Sequence, residues 1–396
     1  MVDTSSEGGI CHYTYNLSNA LSRYAEVTLY TSIKYEMSFM KKDFRVMRVF
    51  GPNNILNTFG SAVMFLHSKV CGNDLVHVQW LFNPWVDFGT LLVLKKLGTP
   101  LVYTAHNVLP HEYEAFSNKT SDKISSKEIY DIYKKIYEIA DAIIVHSKNS
   151  EEEILEKMSV KKEKLYIIPH GNYIFIREIS PPMNKEKARA MLGIGPDDHV
   201  LLFFGLIREY KGLDLLFQSL AQVLGYFSGN RKKTSQGETD PKAIKLLIAG
   251  KAPHGFGNYA AMIKQLGLSE NVVEYIKYIP LDEVGIFFSA SDVVILPYRK
   301  IYQSGAIQMA YAYARPVIAT ATGGLSESVI DGRTGYLVKP GDSEDLARAI
   351  IKTLEDKEEG CLEKMGETAF NVAKKIYGWD SIARKTMGVY ESVLRR

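Results

Sequence analysis

The sequence predicts an α/β fold built on two doubly wound parallel sheets, and three observations predict it. Short apolar runs alternate with longer amphipathic segments from end to end. The runs are rich in β-branched residues and lack strict alternation, as strands buried on both faces do. The segments between them are long enough for helices, so consecutive strands run parallel.

Taken in order, the runs are residues 75–78, 101–103, 142–145, 165–168, 200–204, 245–249, 293–296 and 316–319. Met1 and Val2 read as the stub of a further strand. Residues 127–140 read as a helix with Ile129, Ile132, Tyr133 and Ile136 on one side. The chain breaks near residues 177–187, where two prolines and scattered charge suit a linker. This gives a first domain over 1–178, a second over 190–378, and about four strands in each. The polar stretch 228–242 reads as a long surface loop.

Composition narrows the function. The chain has 396 residues, 46% hydrophobic and 23% charged, as a globular protein does. Its 48 basic and 45 acidic residues leave a net charge of +3, too mild for a nucleic-acid binder. Three cysteines, Cys11, Cys71 and Cys361, form no close pair and fit buried thiols in a reducing cytoplasm. No stretch reaches the length and apolarity of a spanning helix, and no signal segment is seen, so a cytoplasmic location is expected.

The runs finish at Gln79, His106, His146, His170, Gly205, Gly250, Pro297 and Thr320. Ligands of open parallel sheets bind at that carboxyl edge. Two such edges facing across a cleft would form one site. The segment FFGLIREYKG ends a strand at Gly205 and then offers Arg208 and Lys211, which fit either a diphosphate clamp or a solvated basic loop. In VVILPYRKIYQSG, residues Gln303, Ser304 and Gly305 fall at a helix start. That fits phosphate binding by free amides, or Ser304 as an ordinary N-cap. In PVIATATGG, residues Thr322, Gly323 and Gly324 precede a helix expected at Leu325. The glycines there allow close approach of a ligand or form a plain turn, and Glu327 would be a first-turn acid. Gly8 and Gly9 also precede a helix but lack the spacing of a dinucleotide fingerprint. His106 ends LVYTAHN, with His111 and Glu112 just beyond. No Asp-x-Asp or His/Cys cluster is present, so no metal and no cofactor are expected.

In order, the stretches GGICHYTYNLSNAL, VYTAHNVLPHE, ADAIIVHSKNS, IIPHGNY, FFGLIREYKGLDLL, LLIAG, SDVVILPYR, RPVIATATGGLSESVIDGRTGYLVKPGD and YGWDSIARKTMGVYESVL resemble glycosyltransferase family 4, the retaining GT-B enzymes. The resemblance implies two Rossmann-like domains facing across a cleft and a hexose donated by a nucleotide sugar, which is a co-substrate. Arg208 and Lys211 match the basic pair on the donor diphosphate. His106 matches a histidine near the reacting sugar. Gly8 and Gly9 match a loop approaching the phosphates. Thr322, Gly323 and Gly324 match a loop against the donor, and the final helix, within 379–396, matches one that packs back on the first domain.

One departure stands out. Many relatives carry two glutamates with seven residues between them before the PVIA strand; here those positions hold Ile301 and Met309, and no acid occurs between Asp292 and Glu327. The stretch is similar to a branch with Ser-Gly at that turn, which leaves Gln303, Ser304 and Gly305 to hold the donor. The expected acceptor is a glycan or a polyprenyl-linked sugar. Trp80, Phe82, Trp85, Lys95 and Lys96 fit peripheral contact at the inner face of the membrane, or core packing and solvated lysines. Two other readings share the fold: a sugar-nucleotide 2-epimerase, and an inactive sugar-nucleotide-binding partner.

Overall fold

The computed structural model describes all residues except 52, 82, 110–125, 231–242 and 356–359. The chain divides into two compact units, Met1–Gly171 with Tyr377–Arg396, and Asn172–Ile376. Residues 177–187 therefore lie inside the second unit, where they contribute to the helices Ile176–Ile179 and Lys185–Met191.

The first unit holds a seven-stranded sheet made of β1 (Val2–Asp3), β2 (Thr28–Ser32), β3 (Arg45–Phe50), β4 (Val76–Trp80), β5 (Leu101–Thr104), β6 (Ala142–Val145) and β7 (Leu165–Ile167). Its order is β3-β2-β1-β4-β5-β6-β7, and every pairing is parallel. The second unit holds β8 (His199–Phe204), β9 (Ile244–Ala249), β10 (Val272–Tyr275), β11 (Val293–Leu296), β12 (Val317–Thr320) and β13 (Gly335–Val338). These run parallel in the order β10-β9-β8-β11-β12-β13. The order reverses at β1/β4 and at β8/β11, which are the switch points where doubly wound sheets bind ligands.

Seven and six strands replace the four expected in each half. The missed strands have weak patterns for physical reasons. β1, two residues long, is the strand whose stub reads at Met1 and Val2; of the missed ones, β2 reads TLYTS, too polar for an apolar run, and β3 is an edge strand exposing Arg45 and Arg48. β10 and β13 are only half-buried. The central strands β5, β6, β11 and β12 are buried at every residue, and those are the runs that the sequence marks clearly.

Helices start where side chains can cap them. Ser147 Oγ accepts from Ser150 N, Asn53 from Leu56 N and Asn184 from Lys187 N. The helix Leu213–Asn230 runs through Ser228, so residues 228–230 are helical rather than loop. Residues 231–242 of that expected loop lie outside the described residues. Of the cysteines only Cys11 is buried; Cys71, just past a helix end, is exposed. The final helix, Trp379–Leu394, packs on Gly9–Leu21 within the first unit. Gly171 is fixed there by space, because a Cβ would meet the Trp379 ring at 2.3 Å.

Candidate functional site

The β8/β11 switch point gathers most of the second unit's candidates. β8 ends at Gly205, whose φ of +105° suits glycine. The chain then passes Arg208 and makes a tight turn, Glu209–Lys211, before the helix at Leu213. The Lys211 ammonium folds back over Gly205, with a Cβ there meeting Nζ at 3.2 Å, and lies 5.3 Å from the Tyr298 ring centroid. Burial, helped by the neighbouring Arg208 charge, lowers its pKa to about 8. Gly212 lets the turn press onto β11's end, since a Cβ would meet Pro297 O at 2.1 Å. Arg299 locks the same turn. Its backbone N–H donates to Tyr210 O at 2.8 Å, its guanidinium donates to Glu209 O, and a two-pronged ion pair joins it to Asp214. Nothing in the residue pattern marked Arg299, because its role is visible only once β8 and β11 are neighbours.

Beyond β11, Ser304 stands at the N-cap of the helix Gly305–Ala312, but its side chain makes no capping bond. The ordinary-cap reading is therefore not what the hydroxyl does. Ser304 is buried, and its side chain faces the buried Tyr298 hydroxyl at the same strand end, where burial holds that phenol above its ordinary pKa. The first amides of any helix lack partners within it. Tyr173 covers that end, its hydroxyl 3.2 Å from a Cβ placed on Gly305. Tyr173 was not anticipated from sequence.

Thr322 is the N-cap of the helix Gly323–Ser328, which starts two residues before the expected Leu325. That places Glu327 outside the first turn, so it does not complement the dipole there. The two glycines are needed for packing against the chain itself. A Cβ on Gly323, at φ +48°, would meet Ile301 O at 1.6 Å, and one on Gly324 would meet the Gln303 side-chain nitrogen at 2.4 Å. Gly324 N–H donates to Tyr302 O. The loop thus joins Gln303, Ser304 and Gly305 to Thr322, Gly323 and Gly324 as one surface.

In the first unit, Gly8, at φ +82°, precedes the helix Gly9–Leu21. Its N–H donates to Glu36 Oε2 at 2.8 Å, and the same oxygen lies 2.9 Å from His12 Nε2. A carboxylate of the protein thus already holds the amide assigned to a phosphate. Asp3, fully buried, accepts from Ser5 N and Ser5 Oγ, and burial raises its pKa to about 6.

His106 belongs to a buried chain of imidazoles. His146 Nδ1 lies 2.9 Å from Ile168 O, which can only accept, so Nδ1 carries the proton. His146 Nε2 then accepts from His106 Nδ1 at 3.1 Å. His106 Nε2, 3.0 Å from Gln79 Oε1, must therefore accept, which requires the Gln79 amide to be turned over with its nitrogen toward His106. The amide oxygen then accepts from His77 Nε2 at 3.0 Å, and His77 Nδ1 accepts from Tyr390 OH at 2.6 Å. Burial lowers His77 and His146 to about 3 and His106 well below the usual range, so all three are neutral. His170 is lowered to about 4, and the Tyr13 ring packs against His106, His146 and His170. Both nitrogens of His106 are thus engaged.

His111 and Glu112 lie outside the described residues, as does Phe82. Among the described residues no His/Cys/Asp/Glu group is arranged to hold a metal. No helix among them is long and apolar enough to cross a membrane. Trp85 and Lys96 are exposed, Trp80 is half-buried, and Lys95 bonds Asp141.

Residues 198–356 match the family described as Glycosyl transferases group 1, and residues 7–172 match Glycosyltransferase Family 4. The D-inositol 3-phosphate glycosyltransferase of Streptomyces avermitilis is 26% identical over 326 residues, covering 81% of this chain and 66% of the relative. The chain thus spans about two thirds of that relative's length. The protein of the same name from Corynebacterium aurimucosum is 23% identical over 409 residues, covering 98% and 91%. Anabaena Alr3699/HepE, solved in complex with UDP-glucose, has a TM-score of 0.72 at 19% identity and covers 99% of this chain and 98% of its own. That likeness shows the two-domain fold.

Proposed function

The chain belongs to the glycosyltransferases of group 1 and family 4 with the GT-B fold, and on that premise we propose that it transfers a hexose from a nucleoside-diphosphate sugar to a glycan or lipid-linked acceptor with retention of configuration. One observation carries the reading: the Lys211 ammonium is held at the β8/β11 switch point beside Arg208, by a turn that Arg299 locks. Two cations so placed neutralise a leaving diphosphate, Arg208 through its planar fork and Lys211 as a point charge. The amides starting Gly305–Ala312 add hydrogen bonds to phosphate, and Gln303, Ser304, Thr322, Gly323 and Gly324 border the donor.

The chain fits a branch without the paired glutamates, since residues 293–326 carry no acid. The donor's sugar hydroxyls are then held by neutral groups. His106, near the reacting sugar in the resemblance, is neutral with both nitrogens engaged, so it is not the general base. Proton removal from the acceptor hydroxyl falls to an oxygen of the leaving phosphate. The bond from the anomeric carbon to that phosphate breaks while the acceptor oxygen bonds on the same face. For Gly8 and Gly9 to meet an anion, the Glu36 carboxylate must release the Gly8 amide.

The complexes of Alr3699/HepE make a UDP-hexose the first donor to test, and the names of the curated relatives make a phosphorylated polyol one acceptor to include. In this reading the reaction runs on the cytoplasmic side of the membrane. The test is a screen of radiolabelled nucleotide sugars against membrane lipid extract, glycans and inositol phosphate, in excess chelator. Label transferred with the donor's anomeric configuration supports the proposal. Epimerised nucleotide sugar without transfer, or nucleotide binding without any product, contradicts it.

A further inference from the structure

Gln308 is a buried amide that the fold leaves unsatisfied. It lies in the helix Gly305–Ala312 and is 1% exposed. Its Oε1 accepts no hydrogen bond among the described residues. The helix reads GAIQMAYA, so every other side chain on it is small, apolar or aromatic. An amide oxygen taken out of water without a partner is destabilising. Methionine has nearly the same shape and would pack there without that penalty. Packing therefore gives no reason for a glutamine at this position.

Helical spacing says where the amide is directed. Residues four apart share a face, so Gln308 stands one turn behind Ser304, the N-cap residue. Long helical side chains lean back over the preceding turn, which aims the Gln308 amide at the helix start. No side chain caps that start. Ser304 faces the Tyr298 phenol instead, and the Lys211 ammonium lies 5.3 Å from the Tyr298 ring centroid. The first amides of the helix offer donors, whereas Gln308 Oε1 can only accept. The two groups suit different parts of one ligand. A phosphate oxygen fits the amides and is repelled by a carboxamide oxygen. A hydroxyl fits the carboxamide oxygen, and residues 293–326 hold no Asp or Glu to take it.

We propose that Gln308 is a specificity-determining residue of the donor site, its side-chain oxygen accepting a hydrogen bond from a ring hydroxyl of the nucleotide sugar. The assignment rests on the transferase reading, in which neutral groups hold the donor's hydroxyls. The ribose and the transferred hexose both carry such hydroxyls, and the chemistry is the same for either. Tyr173, packed against Gly305, covers the helix start, so the ligand reaches the amide by turning that ring aside. The missing hydrogen bond is made only when the ligand is bound.

The test compares wild type with Gln308→Met by calorimetric titration and by thermal unfolding without ligand. The probes are UDP, GDP and ADP with their glucose conjugates, and the pair that wild type binds is carried forward. Gln308→Met should melt no lower than wild type, because it removes an unpaired polar atom. Its affinity should fall about tenfold, since a buried hydroxyl then loses its acceptor. Equal losses for the diphosphate and its glucose conjugate assign the hydroxyl to the ribose. A loss for the conjugate alone assigns it to the hexose. Unchanged affinity for both overturns the proposal and leaves the transferase reading standing. A variant that melts well below wild type also overturns it, because the fold itself would then use the amide. Wild type that binds none of the six probes overturns both readings together.

Discussion

Arg299 and Asp214 meet through a two-pronged ion pair, with Nη1 2.9 Å from Oδ1, and the same Nη1 donates to Glu209 O at 2.9 Å. The pair ties the end of β11 to the helix that follows the Lys211 turn. Both side chains keep a third or more of their surface exposed, so the pair adds little to stability. Its effect is to fix a backbone turn.

Arg299→Ala should therefore leave the melting temperature almost unchanged yet weaken nucleoside-diphosphate binding by about 1 kcal/mol, the scale of one hydrogen bond. Arg299→Lys cannot fork and should fall between the two. Calorimetric titration with UDP reads the difference. Affinity equal to wild type in Arg299→Ala would show that the turn needs no lock.

Lys211 gives the binding a pH dependence. Its pKa, about 8, lies below the ordinary lysine value because burial disfavours the ammonium and Arg208 repels it. A diphosphate favours the ammonium, so affinity should hold below that pH and fall above it. Stability runs the other way. Between about 8 and the unfolded-lysine value the unfolded chain binds the extra proton, so stability rises with pH across that window. Lys211→Met should accordingly melt no lower than wild type while losing about 1–3 kcal/mol of UDP affinity. A large loss of stability with affinity preserved would make Lys211 a structural residue.

Ser304→Ala separates capping from ligand contact. Removing a capping serine typically costs about 1 kcal/mol. Ser304 makes no capping bond, so chemical denaturation should find a loss smaller than that. Ser304→Asp, introducing an anion at that helix start, should weaken UDP binding beyond the alanine variant. A full capping loss in Ser304→Ala would return the hydroxyl to the helix.

The histidine chain makes the first unit acid-sensitive. His77 and His146, at about 3, and His170, at about 4, stay neutral when folded but titrate near 6.5 when unfolded. The unfolded chain thus binds more protons across that interval, and stability falls as pH drops through it, by about 1.4 kcal/mol per pH unit for each such group. Asp3, raised to about 6, acts in the opposite sense between its unfolded value and 6, and one carboxyl does not reverse the slope of several imidazoles. Gln79→Leu should destabilise the unit, because it strands a buried nitrogen on His106, whereas His77 Nε2 keeps Thr104 Oγ1 at 2.7 Å. Melting curves from neutral to acid pH check both claims, and a flat profile contradicts the neutral chain.

The legible part of this molecule was its central strands and the residues immediately after them. The runs at β5, β6, β11 and β12 are apolar throughout, and Gly205, Ser304 and Gly323 sit where a strand's end could be seen. The polar β2 and the charged edge strand β3 gave little pattern to read. Arg299, Tyr173 and Glu36 act through partners distant in sequence, so no local spacing announced them; Gln79 was visible as a strand's end, but its bonds to His77 and His106 were not. The glycines at 323 and 324 were noticed for a ligand's sake, whereas their space is taken by Ile301 O and the Gln303 side chain.

The most direct test of the donor clamp is calorimetric titration of UDP into wild type and Lys211→Met, each on both sides of the Lys211 pKa of about 8. The account predicts binding by wild type that weakens above that pH, and a variant that binds weakly at both. Equal affinity in the two proteins, or no change for wild type across that pH, would contradict it.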